Sequence, residues 1–282
     1  MQQGSKTHLV PDRELGIEYY RLEGFMRPFA RHFHPHYVFG LVEEGTRTMQ
    51  CRGAVHELGR EHVLLLNPGD YHGCDCGDVS LTYASLAIPA DVMKVWTETS
   101  SASLPVFAPN VLRDADLSCC MRILLTAMEC GEESLRKKEL FGYLVCMAVD
   151  RYAGMCPKGD VAGREEIEWA CRYLEEHFRE HVLLDDLCAG ARVSKSTLLR
   201  GFLRTRGVTP HQYLANIRVD AARKLLQCGV SPTDVAGLTG FSDQSHFTRA
   251  FAAFTGIPPG LYRDMFAASH SIVSKRTREQ RS

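Results

Sequence analysis

The feature that most restricts this chain is a duplication near its C-terminus. Leu198, Arg200, Phe202, Gly207, Pro210 and Tyr213 recur 49 residues later as Phe247, Arg249, Phe251, Gly256, Pro259 and Tyr262. Upstream, Asp186, Leu187, Cys188 and Ser194 recur 48 residues later as Asp234, Val235, Ala236 and Ser242. So many ordered matches mean two copies of one supersecondary unit, and each copy has the anatomy of a helix-turn-helix. In the first, Leu184 to Ala191 forms a short helix, Arg192 and Val193 make the turn, and Ser194 caps a second helix. In the second, Thr233 to Thr239 is the short helix, Gly240 permits the turn, and Ser242 caps a helix running to Phe254. Leu198 and Phe202, like Phe247 and Phe251, are spaced i, i+4 and face the core, which leaves Arg200 and Arg249 on other faces.

Between the copies, Thr209 and Pro210 open a longer helix as N-cap and first-turn proline. Tyr213, Leu214, Ile217, Ala221, Leu225 and Leu226 carry it to a stop at Gly229, and Ser231-Pro232 repeats the start signal. From Pro210 to Gln227 this helix spans about 27 Å at ~1.5 Å per residue. Successive major-groove segments on one face of B-DNA lie roughly 34 Å apart, so one chain reaches two adjacent grooves.

Charge agrees with that geometry. The net charge of −1 conceals 14 Lys and Arg against 7 Asp and Glu from Asp185 onward, a surplus of seven that leaves the rest of the chain at −8. A basic end on an acidic body suggests a polyanionic partner. A length of 282 residues suits two domains, and 45% hydrophobic with 24% charged residues is ordinary for a globular protein. No apolar run reaches the roughly 18 to 20 residues of a membrane span, and the first residues lack the apolar core of a secretory signal. The expected location is the cytoplasm. Eleven cysteines, an odd number with no CxxC pair, read as reduced thiols, with Cys146, Cys171 and Cys188 inside apolar helical patterns.

Ahead of the helical region the chain has another rhythm. Tyr37 to Val42, Thr46 to Cys51, His62 to Leu66 and Ser80 to Ile88 are candidate strands between turn clusters such as Arg52-Gly53 and Pro68-Gly69-Asp70. Short strands at this spacing over residues 16 to 90 suggest a small sandwich or jelly-roll barrel. Period 3.6 then takes over, with Leu117, Met121, Leu124, Leu125 and Met128 on one helix and Leu140, Leu144, Met147 and Ala148 on another, joined by a turn at Gly131. Gly154 to Gly163 reads as a linker. Beyond it Ile167, Ala170, Cys171, Leu174 and Phe178 make another apolar stripe.

The segment from Ile167 to Arg263 resembles the DNA-binding domain of the AraC/XylS family of bacterial transcription regulators. The resemblance is carried by Gly240-Phe241-Ser242-Asp243 through Phe247-Thr248-Arg249-Ala250-Phe251, then Gly256-Ile257-Pro258-Pro259-Gly260-Leu261-Tyr262-Arg263. It implies that the first recognition helix presents Lys195, Ser196, Thr197, Leu199 and Arg200 to DNA, with Arg204 as a phosphate contact or a solvated charge. The second presents Gln244, Ser245, His246 and Arg249. Arginine bonds bidentately to guanine, while Ser and Thr contact phosphates or read bases ambiguously. Gly201 inside a recognition helix costs stability.

His32, His34 and His36 alternate as on a strand, so all three face one way. With Pro68-Gly69-Asp70-Tyr71-His72 they resemble the cupin-like sensor domain found in many AraC-type regulators, which implies a small barrel whose mouth binds an effector near His34, His36, Tyr37 and His72. A metal-binding cupin needs a Glu about four residues after the second His of the H-x-H pair, and Gly40 and Leu41 stand there instead, so no metal or cofactor is expected. Cys74 and Cys76 read as incidental thiols in a turn.

The expected architecture is therefore an all-β cupin-like jelly-roll barrel (residues 1–110) and two helices for dimerisation or packing (111–153). A linker (154–163), an all-α domain with two helix-turn-helix units joined by a long helix (164–266) and a basic disordered tail (267–282) follow. The expected protein is a non-enzymatic, effector-responsive transcription factor. Its partners are double-stranded promoter DNA, a small-molecule effector, a second copy of itself and RNA polymerase, with no membrane. The rival reading is a metal-dependent cupin enzyme fused to a DNA-binding module.

Overall fold

The computed structural model describes residues 6–75, 77, 79–97, 104–130, 134–154 and 164–267. The turn at Gly131, Cys76, the basic tail beyond 267 and nearly all of the linker lie outside the described residues. The chain divides into two compact units, residues 1–27, 34–70 and 74–157 in the first and 28–33, 71–73 and 158–282 in the second. The sequence reading placed 28–33 and 71–73 in the barrel domain.

The first unit contains β1 (Lys6–Asp12), β2 (Ile17–Phe25), β4 (Tyr37–Glu44), β5 (Arg47–Cys51), β6 (Ala54–Leu58), β7 (His62–Leu66) and β9 (Leu81–Ile88). It continues with α1 (Ala90–Thr97), β10 (Val106–Phe107), β11 (Val111–Arg113), α2 (Ala115–Cys130), α3 (Ser134–Tyr152) and β12 (Ala153–Gly154). Two short strands, β3 (Phe29–His32) and β8 (His72–Cys74), complete the numbering. A six-stranded sheet runs in the order β1-β2-β9-β4-β7-β11 with antiparallel pairs throughout. The four strands expected from sequence are present, and β1, β2 and β6 add to them. Arg52 and Gly53, both at positive φ, close the β5–β6 hairpin as a two-residue turn requires.

Alternation along β4 sorts the core. Tyr37, Phe39 and Leu41 join Ala84, Leu86 and Ile88 on the face covered by α2 and α3, where Leu117, Met121, Leu124, Leu125, Leu144 and Ala148 are buried. The apolar stripes of α2 and α3 are thus consumed inside the chain. What the pair leaves exposed includes Ile123, Leu135 and Tyr143, together with Cys146, which the helical pattern had placed in the core. At the sheet edge, Asp70 Oδ2 accepts Asn67 N–H and the Asn110 side-chain amide at 2.8 Å each.

The second unit is built from α4 (Arg164–Glu176), α5 (Leu184–Ala191), α6 (Lys195–Arg206), α7 (Pro210–Gln227), α8 (Pro232–Leu238), α9 (Gln244–Thr255) and a final helix, α10, over 259–267. α5 has the bounds expected from sequence. Ser194 caps α6 by accepting Thr197 N–H, Thr209 caps α7 with Pro210 behind it, and Ser231 caps α8. Arg192 and Gly240, equivalent in the duplication, both turn the chain at positive φ, +56° and +79°. The core of the first copy gathers Ile167, Ala170, Leu174, Leu187, Leu198, Phe202 and Tyr213, and it includes Tyr71 with Phe33 packed against it. Phe33 stacks on Tyr213 at 5.1 Å. The Asn216 side chain exchanges two 2.9 Å hydrogen bonds with the Phe33 backbone, accepting its N–H and donating to its carbonyl.

Candidate nucleic-acid interface

The candidate reading helices are α6 and α9, each the second helix of its motif. Their buried sides hold Leu198 and Phe202 on α6 and Phe247 and Phe251 on α9. The aromatic pair of α9 continues through Phe241, Tyr262 and Phe266, each ring 5.2–5.3 Å from a neighbour. With those faces fixed, periodicity turns the intervening residues outward. Lys195, Ser196, Thr197, Arg200 and Arg204 are exposed on α6, and Leu199 is half-buried. On α9, Gln244, Ser245 and Arg249 are exposed while His246 is half-buried.

Several of these groups have local partners that spacing does not reveal. Lys195 Nζ sits 2.6 Å from Asp185 on α5, an exposed pair that holds the ammonium charged. Arg200 Nε donates to the Ser196 carbonyl at 3.2 Å. Ser194 Oγ lies 3.0 Å from Ser196 Oγ and 2.9 Å from Thr197 Oγ1. Arg206 turns inward instead, donating to Cys171 Sγ at 3.4 Å and pairing with Glu168, so it is a structural cation. Gly201, expected to weaken its helix, lies where a β-carbon would stand 2.5 Å from Ile167 Cδ1 of α4. Its lack of a side chain lets α6 seat closely on α4.

The cap of α9 differs from expectation. Asp243 occupies the N-cap position and its Oδ1 accepts His246 N–H at 2.7 Å; Ser242 stands one residue earlier and donates to the Asp243 carboxylate at 3.1 Å. These donors hold the carboxyl below its ordinary range. Serine and aspartate are both good caps, and the pattern alone does not separate adjacent candidates. Gln244, Ser245, Thr248 and Arg249 surround an open hollow on the outer side of α9. Thr248 was not singled out from the sequence.

Among the expected effector contacts, the strand carrying the histidines ends at His32, and His34 and His36 lie in the turn before β4. Pro35 between them lacks the N–H that a continuing ladder needs. The rings of His34 and His36 stack at 4.9 Å, and buried His72 lies 4.4 Å from the ring of His32. Tyr37 points into the α2–α3 side of the sheet, its hydroxyl donating to Pro105 O at 2.8 Å and its pKa pushed by burial up to about 12. On the sheet's opposite face Gly40 faces Ser85 across the β4–β9 ladder. A β-carbon at Gly40 would overlap the Tyr83 hydroxyl. Tyr83 and Ser85 are thus polar groups of that face, Ser85 paired with Gly40 by register and Tyr83 with Val42.

Comparison with known proteins agrees with both halves of this architecture. A helix-turn-helix domain model matches residues 187–265, and an AraC-like ligand binding domain model matches residues 14–145. The HTH-type transcriptional regulator YbfI of Bacillus subtilis is 38% identical over 250 residues, covering 87% of this chain and 90% of that protein. The transcriptional activator RhaS of Klebsiella pneumoniae is 24% identical over 235 residues, covering 79% and 83%. An apo variant of ToxT from Vibrio cholerae shares the fold with a TM-score of 0.59 at 14% identity, over 89% of this chain and 97% of that one. Among the described residues no helix is long and apolar enough to cross a membrane. A duplicated helical reader behind a strand-rich ligand-binding domain, matched along most of its length by such a relative, places the chain in the AraC/XylS family of helix-turn-helix transcription regulators.

Proposed function

We propose that this regulator inserts α6 and α9 into adjacent major grooves of promoter DNA and that a small-molecule effector governs the step. The observation that carries the reading is the equivalent exposure of Arg200 and Arg249, one on each reading helix, with no carboxylate partner among the described residues. Lys195, Ser196, Thr197, Leu199 and Arg204 extend the contact on α6, and Gln244, Ser245 and His246 do so on α9. The effector contacts are the expected His34, His36 and His72. Tyr37 is the fourth expected contact, with its hydroxyl donating to the Pro105 carbonyl. An effector shifts the population of DNA-competent molecules only by binding one arrangement more tightly than the other. The exposed Ile123, Leu135 and Tyr143 support pairing of two copies through α2 and α3. The protein acts in the cytoplasm, without enzymatic activity, beside RNA polymerase.

Arg249→Ala tests the reading directly. Footprinting on the target promoter should be lost while the first unit keeps its thermal transition; an unchanged footprint refutes groove entry by α9. The neighbouring rings of His34 and His36, 4.9 Å apart, favour one alternative, a metal-dependent enzyme tethered to DNA. Stoichiometric iron, manganese or zinc in purified protein, lost in His34→Ala and His72→Ala, would favour that alternative.

A further inference from the structure

The two reading helices carry different chemistry. On α9, Gln244 and Thr248 form one i, i+4 column, and Ser245 and Arg249 form the next, around a single hollow. Gln244 and Arg249 are engaged by no other side chain among the described residues. An amide and a guanidinium are the side chains that bond bidentately to adenine and guanine, and a threonine methyl suits the methyl group of thymine. The N-cap of this helix is the Asp243 carboxylate, a fixed negative charge that disfavours a phosphate at that end.

On α6 the leading end is neutral and hydroxylated, with Ser194, Ser196 and Thr197 clustered and Lys195 exposed beside them. Hydroxyls and a mobile ammonium grip phosphates without telling bases apart. The Lys195–Asp185 pair is exposed and exchanges readily for a phosphate. Of the two exposed arginines of this helix, Arg200 has its Nε already given to the Ser196 carbonyl, and Arg204 lies one turn further from the leading end.

We infer that base discrimination is concentrated in α9, through Gln244, Thr248 and Arg249, and that α6 chiefly supplies the grip on the backbone. This deepens the proposed groove binding and depends on it. It assigns Thr248 a specificity role and sets the two halves of the binding site apart in what they demand of DNA sequence.

The test is selection from a random duplex library with the full chain, followed by titration on the selected and a scrambled duplex at several salt concentrations. Arg249→Lys and Gln244→Ala should each flatten the preference at one base position, lowering discrimination there about tenfold or more. Binding to scrambled duplex should change less than about threefold, because those contacts read bases and not phosphates. Thr248→Ser, which deletes only the methyl, should relax a thymine preference. Lys195→Ala should weaken selected and scrambled duplex alike and reduce the slope of log affinity against log salt by about one. Arg249→Lys keeps charge and helix propensity, so its result does not hinge on a folding defect. If Arg200→Ala erases the selected motif while the α9 variants weaken all duplexes uniformly, the division of labour is overturned. If the unaltered chain selects no motif, the groove-reading proposal itself fails.

Discussion

The two helix-turn-helix copies share a scaffold yet are braced by different neighbours. In the first, α5 and α6 settle on α4 through Gly190 and Gly201, where β-carbons would strike Trp169 and Ile167. In the second, the duplication has Leu238 and Ala250 at those places, and support comes from α10 through Tyr262 and Phe266. The equivalent tyrosines show the same divergence. Tyr213 donates to Glu175 at 2.6 Å, whereas the Tyr262 hydroxyl accepts from Arg223 and Gln227. The two copies keep the same helical geometry while their surroundings differ. A motif therefore does not predict its own tolerance to change; its neighbours do.

Four substitutions break or sharpen this contrast. The largest effect is expected at the turns, which have equal backbone conformation but unequal space. A β-carbon at Gly240 would lie 2.7 Å from the Arg179 carbonyl oxygen. Gly240→Ala should therefore cost about 3 kcal/mol, from left-handed backbone strain plus overpacking, by denaturant unfolding of the full chain. Gly190→Ala comes next. Overlap with the Trp169 ring outweighs the gain in helix propensity, for a net loss of about 1–2 kcal/mol; a stabilised variant would show that α4 does not clamp the first copy. Ser194→Ala removes the cap of α6 and should cost about 1 kcal/mol at every pH from 4 to 8.

Asp243 supplies the smallest and most diagnostic effect. Its folded pKa lies below the ordinary carboxylate range, so its stabilisation is full above that range and fades as pH falls through the folded value. Asp243→Asn should leave a stability profile that is flatter than the parent in acid, whereas Ser194→Ala keeps the parent's slope. Equal profiles for the two variants would show that the caps are interchangeable.

What was legible in the chain was local and repeated. The duplication located both motifs, and the caps at Ser194, Thr209 and Ser231 were readable because each precedes its helix directly. The outward faces of α6 and α9 followed from the aromatic residues that must point in. What escaped depended on distant partners. No pattern links Lys195 to Asp185, or shows that Arg206 turns toward Cys171. Alternation carries a strand through His36, but the strand ends at His32 and Pro35 lacks the N–H to resume the ladder. The stripes of α2 and α3 were visible, but periodicity cannot say whether a stripe meets its own sheet or another molecule. Tyr37 is grouped with the histidines by nearness in sequence, although it opens β4 while His36 lies in the turn before it.

The pairing of Asn216 with Phe33, and the place of Tyr71 in the first copy's core, bear on how this protein can be cut and recombined. A fragment begun at the linker would carry the whole duplicated motif and still leave an amide and an aromatic pocket bare to water. Chimaeras that exchange only the C-terminal third would inherit someone else's plug for that pocket. The transferable module is three pieces of chain, and the two short ones travel with it only if they are chosen deliberately.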